Sequence, residues 1–378
     1  MMTQFKKSKL ATAVLAASMC APASAATWSA GDWEVSYTGT INLFANMINN
    51  DVAGGLDSFH MNEGLLPAFH TMKAVSPATN GLTGTAQISF APDSSRAKTD
   101  DQAKNGNQID MREVFFAVDG SFGTISIGTT LSLFQRQAIL NDMTLFGVGA
   151  FAGTEGSGTT LGRIGYGYTY PEFNSRMTWK SPDMSGFGIE VGIFDPDENT
   201  AGSFETDTPQ FQVEASYSTS FDGGSVMVWA GGLHQEMERT AGGEVTSVGM
   251  NLGAKVTAGG LSLVGSWFDG EAIGTIRTLD SFSGNAFICS GTTCTEADND
   301  GYYIQAMYNM NGATNVGLSY GESNQDQDAA GNTLDSNELT TLGVYHDVNS
   351  WLKLVAEYNM QSGAQENDHL SLGGFIFW

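Results

Sequence analysis

The sequence predicts an all-β chain folded as a transmembrane antiparallel β-barrel of 16 strands. Three observations carry this. Apolar and polar residues alternate with period two in segment after segment, as a strand with one face on lipid and one on water requires. The connections alternate short and long, as tight periplasmic turns and longer external loops do. The last residues, His369 to Trp378, read HLSLGGFIFW and end on an aromatic. Leu370, Leu372, Gly374, Ile376 and Trp378 fall on one face of that strand, and Ser371, Gly373, Phe375 and Phe377 on the other. Such a strand suits the last stave of a barrel, closing against the first, with Trp378 and Ile376 as closure residues. The rival reading is a C-terminal edge strand of a secreted β-sandwich.

The first 25 residues are expected to be a secretory signal peptide, cleaved from the chain on its way through the periplasm. Lys6, Lys7 and Lys9 are followed by the apolar stretch Leu10–Met19 and by Ala23-Ser24-Ala25, an A-x-A cleavage site. Cys20 follows Met19 rather than a small residue, which argues against lipid attachment. Cleavage after Ala25 leaves 26–378 as one barrel domain. It removes three lysines and no acid, taking the formal charge from −25 to −28.

Composition sets bounds on the rest. Beyond the leader no run of 18 apolar residues occurs, so no transmembrane helix is expected. The hydrophobic fraction of 41% and mean hydropathy of −0.14 suit a barrel whose strands average two faces. Forty-seven glycines against 8 prolines, with 22 phenylalanines, favour strands joined by tight turns. The acidic balance excludes nucleic acid as a partner. Cys289 and Cys294 lie close together in a polar stretch, and in an oxidising compartment they are expected to form a disulfide. No further Cys or His stands near them, so no metal and no cofactor is expected.

Along the chain, Trp33, Val35, Tyr37, Ile41, Leu43 and Met47 alternate with Glu34, Ser36, Thr38, Thr40 and Asn42. The pattern recurs at Leu82–Phe90, Phe211–Ser218, Ser247–Val256 and Leu352–Gln361. Short turns are expected at Thr79–Gly81, Asp119–Ser121, Asp183–Gly186, Phe221–Gly224, Ala258–Gly260, Asn311–Gly312 and Asp347–Ser350. Long loops are expected at Asn49–Asn62, Asp93–Asn105, Leu131–Pro171, Asp195–Thr208, Glu236–Gly243, Glu271–Asn299, Glu322–Ser336 and Ser362–Asp368. Seven turns and eight loops join sixteen strands, enough for an aqueous channel. One strand breaks the pattern. In QIDMREVFF, Arg112 and Glu113 are adjacent, so alternation sends one charge outward, either against a neighbouring subunit or near the membrane interface.

The stretch Arg112–Gly128, REVFFAVDGSFGTISIG, resembles the general diffusion porins of Gram-negative bacteria, in which an Arg opens a strand, a turn with Phe-Gly follows and a strand ending in Gly leads into a long loop. Thr178-Trp179-Lys180-Ser181-Pro182, Leu82-Thr83-Gly84 and the terminal aromatic agree. The resemblance implies a homotrimer in outer-membrane lipid and lipopolysaccharide, placed there by the barrel-assembly machinery. It also implies that the third external loop, Leu131–Pro171, folds into the pore and narrows it. Asn141-Asp142-Met143 matches a loop acid-Met pair of the family, making Asp142 the candidate constriction acid, with Glu155 a second loop acid. Arg112 matches a basic wall position, and Arg136, Arg176 and Lys180 complete the candidate constriction set. Other basic positions of the family fall on Thr40, on Phe69 or His70, and on Thr129. The expected selectivity is therefore weakly for cations.

The function implied is passive passage of small hydrophilic solutes and ions. The alternative is a substrate-specific channel for a sugar or another small nutrient, with Phe134, Phe146, Phe151, Tyr166, Tyr168 and Tyr170 as an aromatic slide. Those rings serve equally as packing that pins the loop to the wall. An enzyme is not expected, because His60, His70, His234, His346 and His369 sit singly, without a serine motif or an acid at triad-like placement.

Overall fold

The computed structural model describes residues 25–50, 55–92, 109–151, 158–196, 204–239, 242–279, 286–325, 331–332, 334, 336–363 and 365–378. The leader up to Ser24, the expected loop Asp93–Asn105 and Glu155 lie outside them. Sixteen antiparallel strands close on themselves. The first five are β1 Trp33–Asn50, β2 Phe69–Val75, β3 Thr83–Pro92, β4 Ile109–Gly120 and β5 Gly123–Leu131. Next come β6 Phe173–Lys180, β7 Phe187–Phe194, β8 Gln210–Phe221, β9 Gly224–Arg239 and β10 Glu244–Ala258. The circuit ends with β11 Leu261–Glu271, β12 Asp298–Asn309, β13 Thr314–Asn324, β14 Asn337–Asn349, β15 Leu352–Ser362 and β16 Asn367–Phe377. Every strand pairs with its sequence neighbours, and β16 also pairs with β1, from Asn50↔Asn367 to Thr40↔Phe377. Trp378 extends this seam, because its backbone N–H and C=O both bond Gly39 at 3.0 Å.

The burial pattern is inverted relative to a soluble protein. Ile41, Ile88, Leu252, Ile304, Leu318 and Ile376 are about half exposed, while their strand neighbours Asn42, Gln87, Asn251, Gln305, Ser319 and Phe375 are buried. Large apolar side chains ringing the outside suit hydrocarbon, and the ladder leaves no unpaired backbone edge facing it. Among the described residues no helix is long and apolar enough to cross a membrane.

All seven expected turns are found, and the tightest shows why its residues are there. Asn80 and Gly81 have φ of 53° and 79°, the two left-handed positions that an Asn-Gly hairpin turn demands. Four features were not expected. A short strand, Ala26–Ala30, pairs with Trp33–Tyr37. The loop assigned to Glu236–Gly243 is mostly strand, since β9 runs to Arg239 and β10 begins at Glu244. The β11–β12 connection contains a hairpin of Phe287–Ser290 and Thr293–Glu296, in which Cys289 and Cys294 lie opposite one another and are bonded. Ahead of β2, Ser58–Asn62 also pairs with β1, and residues 63–68 between the two pieces leave the ladder and are largely buried.

The expectation that Arg112 or Glu113 points outward is corrected. The register between β3 and β4 steps from Ser89↔Glu113 to Phe90↔Met111, so Arg112 is the extra residue of a β-bulge. A bulge resets the alternation locally, and both charges reach the interior. Glu113 is buried and Arg112 bonds Tyr170 of the long β5–β6 connection.

Candidate functional site

The site is built around the segment 132–171. Just ahead of it, the close approach of β4 explains the glycine that ends the ISIG motif. Gly128 has φ 127°, and a Cβ there would lie 2.3 Å from the Val114 carbonyl oxygen of β4. The segment then forms a short helix, α1 Arg136–Asn141, and a 3₁₀ turn, Met143–Phe146. Asp142 caps that turn, accepting from the Thr144 backbone N–H at 2.9 Å.

Polar side chains from the buried face of the wall hold this segment by its backbone. On β8, the Gln212 amide oxygen accepts from the backbone N–H groups of Leu133 and Phe134 at 2.8 Å. On β12, Gln305 accepts from Met143 at 2.9 Å and donates to the Asn141 carbonyl at 2.7 Å. On β15, the Glu357 carboxylate accepts from Val148 and Gly149, both at 2.9 Å. Gly149 has φ 57°, and a Cβ there would lie 2.3 Å from the Gly162 carbonyl oxygen, so only glycine lets the segment fold back here. The ring of His369 on β16 bonds the Gly149 carbonyl oxygen at 2.8 Å. Apolar contacts reinforce these anchors. Val148 and Met143 pack with Phe44, Tyr345, Phe375 and Phe377, while Ala138, Ile139 and Tyr168 pack with Trp229 and Tyr303.

The charged residues of the expected constriction are engaged in the same task. Arg136 bonds Glu190 of β7 at 2.8 Å and Glu214 of β8 at 2.7 Å, with all three side chains buried. Burial opposes its charge, but the two carboxylates outweigh burial and hold its pKa above the usual guanidinium value. Arg176 donates to the Leu131 carbonyl at 2.7 Å and lies 3.6 Å from Glu190. Thr178 donates to Glu190 at 2.9 Å, and Lys180 sits opposite Glu190 in the ladder, so Arg176, Thr178 and Lys180 do share the inner face.

Asp142 is fully enclosed. Its carboxylate accepts from Thr144 Oγ1 at 2.6 Å and Tyr168 Oη at 2.8 Å, and Arg163 Nε stands 3.8 Å away. Arg163, in turn, donates to the Leu339 carbonyl at 2.9 Å and to Ser319 Oγ. A buried carboxylate must be paired, and here the pairing turns Asp142 into the segment rather than toward solution.

On the β1–β5 side the character changes. The segment and the excursion 63–68 meet through Leu65 N–H to Gly147 O at 2.9 Å and Thr160 N–H to Gly64 O at 3.2 Å. Between them and the wall lies a cavity of about 210 Å³. Six leucines and three isoleucines line it, joined by five threonines, Thr40 among them, and by Phe69, Arg112, Glu113, Tyr170 and Phe173. Arg112 bonds Asp110 at 2.8 Å and Tyr170 Oη at 3.0 Å, and its guanidinium lies 5.4 Å from the Phe173 ring centre. Of the aromatic candidates, Phe134, Phe151, Tyr166 and Tyr168 are buried as packing, whereas Tyr170 lines the cavity.

The structure thus brings Arg136, Arg176 and Lys180 together on β6–β8, sets Arg112 apart on β4 and encloses Asp142. Thr40 and Phe69 stand in the cavity lining, while His70 points outward and stacks on Phe90 beside Tyr37 and Trp378. Sequence reasoning missed as anchors Gln212, Gln305, Glu357, His369 and Gln361, whose Oε1 accepts from the Phe151 backbone N–H at 3.0 Å. It also missed the excursion 63–68, which Gly64 and Pro67 flag as a break in the strand pattern. Among the described residues, no three His, Cys, Asp or Glu are grouped to hold a metal ion.

Comparison with known proteins agrees with this architecture. The family model for Gram-negative porins matches residues 11–365. The fold is similar to that of the outer membrane channel DcaP of Acinetobacter baumannii, with a TM-score of 0.69 and 12% identity over 93% of this chain and 99% of that one. It is similar to an anion-selective porin from Comamonas acidovorans, with a TM-score of 0.66 and 14% identity over 92% of this chain and 100% of that one. OmpF of Salmonella typhi, in complex with daunomycin, gives a TM-score of 0.64 and 14% identity, covering 93% and 100%. No curated protein matches the chain in sequence.

Proposed function

This chain belongs to the Gram-negative porin family and is an outer-membrane diffusion channel; from that membership we propose that it passes small hydrophilic solutes and ions passively, with a weak preference for cations. One observation carries the reading. Most hydrogen bonds of the segment 132–171 go to β7, β8 and β12–β16, with Tyr170 to Arg112 of β4 an exception, which supports a narrowed path on the β1–β5 side. The ion preference rests on the mature formal charge of −28 and on the ion pairing of Arg112, Arg136 and Arg176 among the candidate constriction residues. Fixed charge acts within a Debye length of about 8–10 Å at physiological salt, so the preference should weaken as salt rises. The porin of Comamonas acidovorans is anion-selective, so the shared fold does not fix the sign. Reconstitution in planar bilayers under a salt gradient tests this. A zero-current potential of cation sign is expected, and an anion-selective wild type would refute the preference.

The mature protein is proposed to be a homotrimer in lipid and lipopolysaccharide, secreted with a cleaved leader and inserted by the barrel-assembly machinery. His70 supports the oligomer, because an outward imidazole among Tyr37, Phe90 and Trp378 is better sheltered by a neighbouring subunit than by hydrocarbon. A second reading, a substrate-specific channel, is favoured by the apolar lining of the β1–β5 cavity.

A further inference from the structure

We propose that the cavity between the segment 132–171 and β1–β5 is a binding site for small uncharged amphipathic solutes, each with an apolar body and one hydrogen-bonding head. The inference rests on the channel reading and names its substrate class. The apolar body is matched by Leu65, Leu140, Leu145, Leu161, Ile164 and Ile276, contributed by the excursion, the segment and the β11–β12 connection. A sugar lying on these residues would lose water from hydroxyls that find no partner there, which disfavours it.

Two groups offer the head a partner. Thr40 is 1% exposed and lines the cavity, and its hydroxyl has no hydrogen-bond partner among the described residues. A buried hydroxyl left alone is costly, and a solute carbonyl or hydroxyl would satisfy it. Arg112 bonds Asp110 through Nε and Tyr170 through Nη1, and Nη2 makes no hydrogen bond among the described residues. That nitrogen is a ready donor to a solute oxygen.

The local charge argues for a neutral guest. Arg112 is the one cation lining the cavity among the described residues, and Asp110 neutralises it at 2.8 Å. Glu113 accepts from Gln87, Ser89 and Thr130 at 2.7–2.9 Å, so the wall already occupies its carboxylate oxygens. An ionised guest would lose water in a lining where Arg112 is already ion-paired and the oxygens of Glu113 are already hydrogen-bonded. Binding should be weak, since a channel site must also release its solute.

The test is the ion current of the purified protein in planar bilayers, titrated with 1,2-hexanediol and, as a polar control at matched viscosity, glycerol. Hexanediol should reduce the current saturably while glycerol lowers it only as viscosity does. Leu140→Asn, which places an amide in the apolar lining, should raise the half-blocking concentration about tenfold, and Thr40→Val should raise it about threefold. The ion conductance of each variant reports that it has folded. Equal responses to hexanediol and glycerol, or a block unchanged in both variants, would overturn the site while leaving the channel standing. A wild type that conducts no ions would overturn the channel reading and the site with it.

Discussion

The barrel wall and the segment bonded to its buried side chains are stabilised in opposite ways. The wall is a backbone structure. Its ladder satisfies almost every N–H and C=O by pairing strand to strand, and its side chains need only be apolar outside and polar inside. Among its described residues the segment 132–171 has little regular structure, a helix of six residues and a 3₁₀ turn of four. Its backbone is instead held by individual side chains of the wall, Gln212, Gln305, Glu357 and His369 among them. The wall should therefore tolerate many substitutions and fail only when the ladder is cut, whereas single side chains should loosen the segment without unmaking the wall.

Cutting the ladder gives the largest expected effect. Phe375, Ile376 and Phe377 pair with Asn42, Ile41 and Thr40 of β1, and Trp378 completes the seam at Gly39. Deleting Phe375–Trp378 strips those partners and exposes backbone groups to lipid, at several kcal/mol for each unpaired group. Insertion should be abolished rather than conduction weakened. Normal amounts of heat-modifiable protein in the outer membrane after that deletion would show that the ladder is not what closes the wall.

The difference also explains what could be read from the sequence. Strand number, turns and both faces of β16 follow from period-two alternation and from pairs such as Asn80-Gly81, because those signals are local. The bulge at Arg112 is not local. One inserted residue flips every inference about facing, and only the partner strand reveals it. The anchors were hidden differently. Gln212 and Glu357 alternate as inward polar residues should, and nothing in one sequence distinguishes an inward residue that meets water from one that meets a backbone N–H. Asn141-Asp142-Met143 was legible as a family motif, but the short acid is equally suited to capping a turn, and that is where it is found.

The next effect in size concerns the ion-paired latch. Arg136→Ala would leave Glu190 and Glu214 buried with only the weaker support of Arg176 and their hydrogen bonds. Breaking a buried pair in this way costs about 3–5 kcal/mol. The segment should loosen, giving noisier and larger single-channel currents, while heat-modifiability of the barrel is unchanged. Quiet currents of wild-type size would show that the apolar contacts of α1 hold the segment without the latch.

Asp142→Asn should be milder. The isosteric amide keeps the shape of the turn but weakens the bonds from Tyr168, Thr144 and Arg163. Because the carboxylate faces into the segment, the expected change is in current noise, with the zero-current potential shifted little. A large loss of cation preference would mean that its field reaches the path despite Arg163, and that the enclosed acid acts as the filter the family motif implies.

The smallest effect is expected from the Cys289–Cys294 bond, because it supplies neither a backbone pairing that closes the wall nor an anchor of the segment. It closes a loop between residues five apart, worth about 2 kcal/mol on chain-entropy grounds. That constraint is confined to the hairpin Phe287–Glu296, where the cysteines pack beside Met237, Val245 and Ala272. The same connection, however, sends Ile276 to the cavity, where its carbonyl oxygen accepts from the Tyr170 N–H at 2.7 Å. Reduction should therefore leave insertion and ion preference as they were, and at most raise the frequency of brief current fluctuations through Ile276. Mass analysis of envelope-purified protein under non-reducing conditions should find no free thiol at either cysteine. If reduction instead altered the conductance as much as Arg136→Ala does, the β11–β12 connection would have to be counted among the supports of the segment rather than as a cover above it.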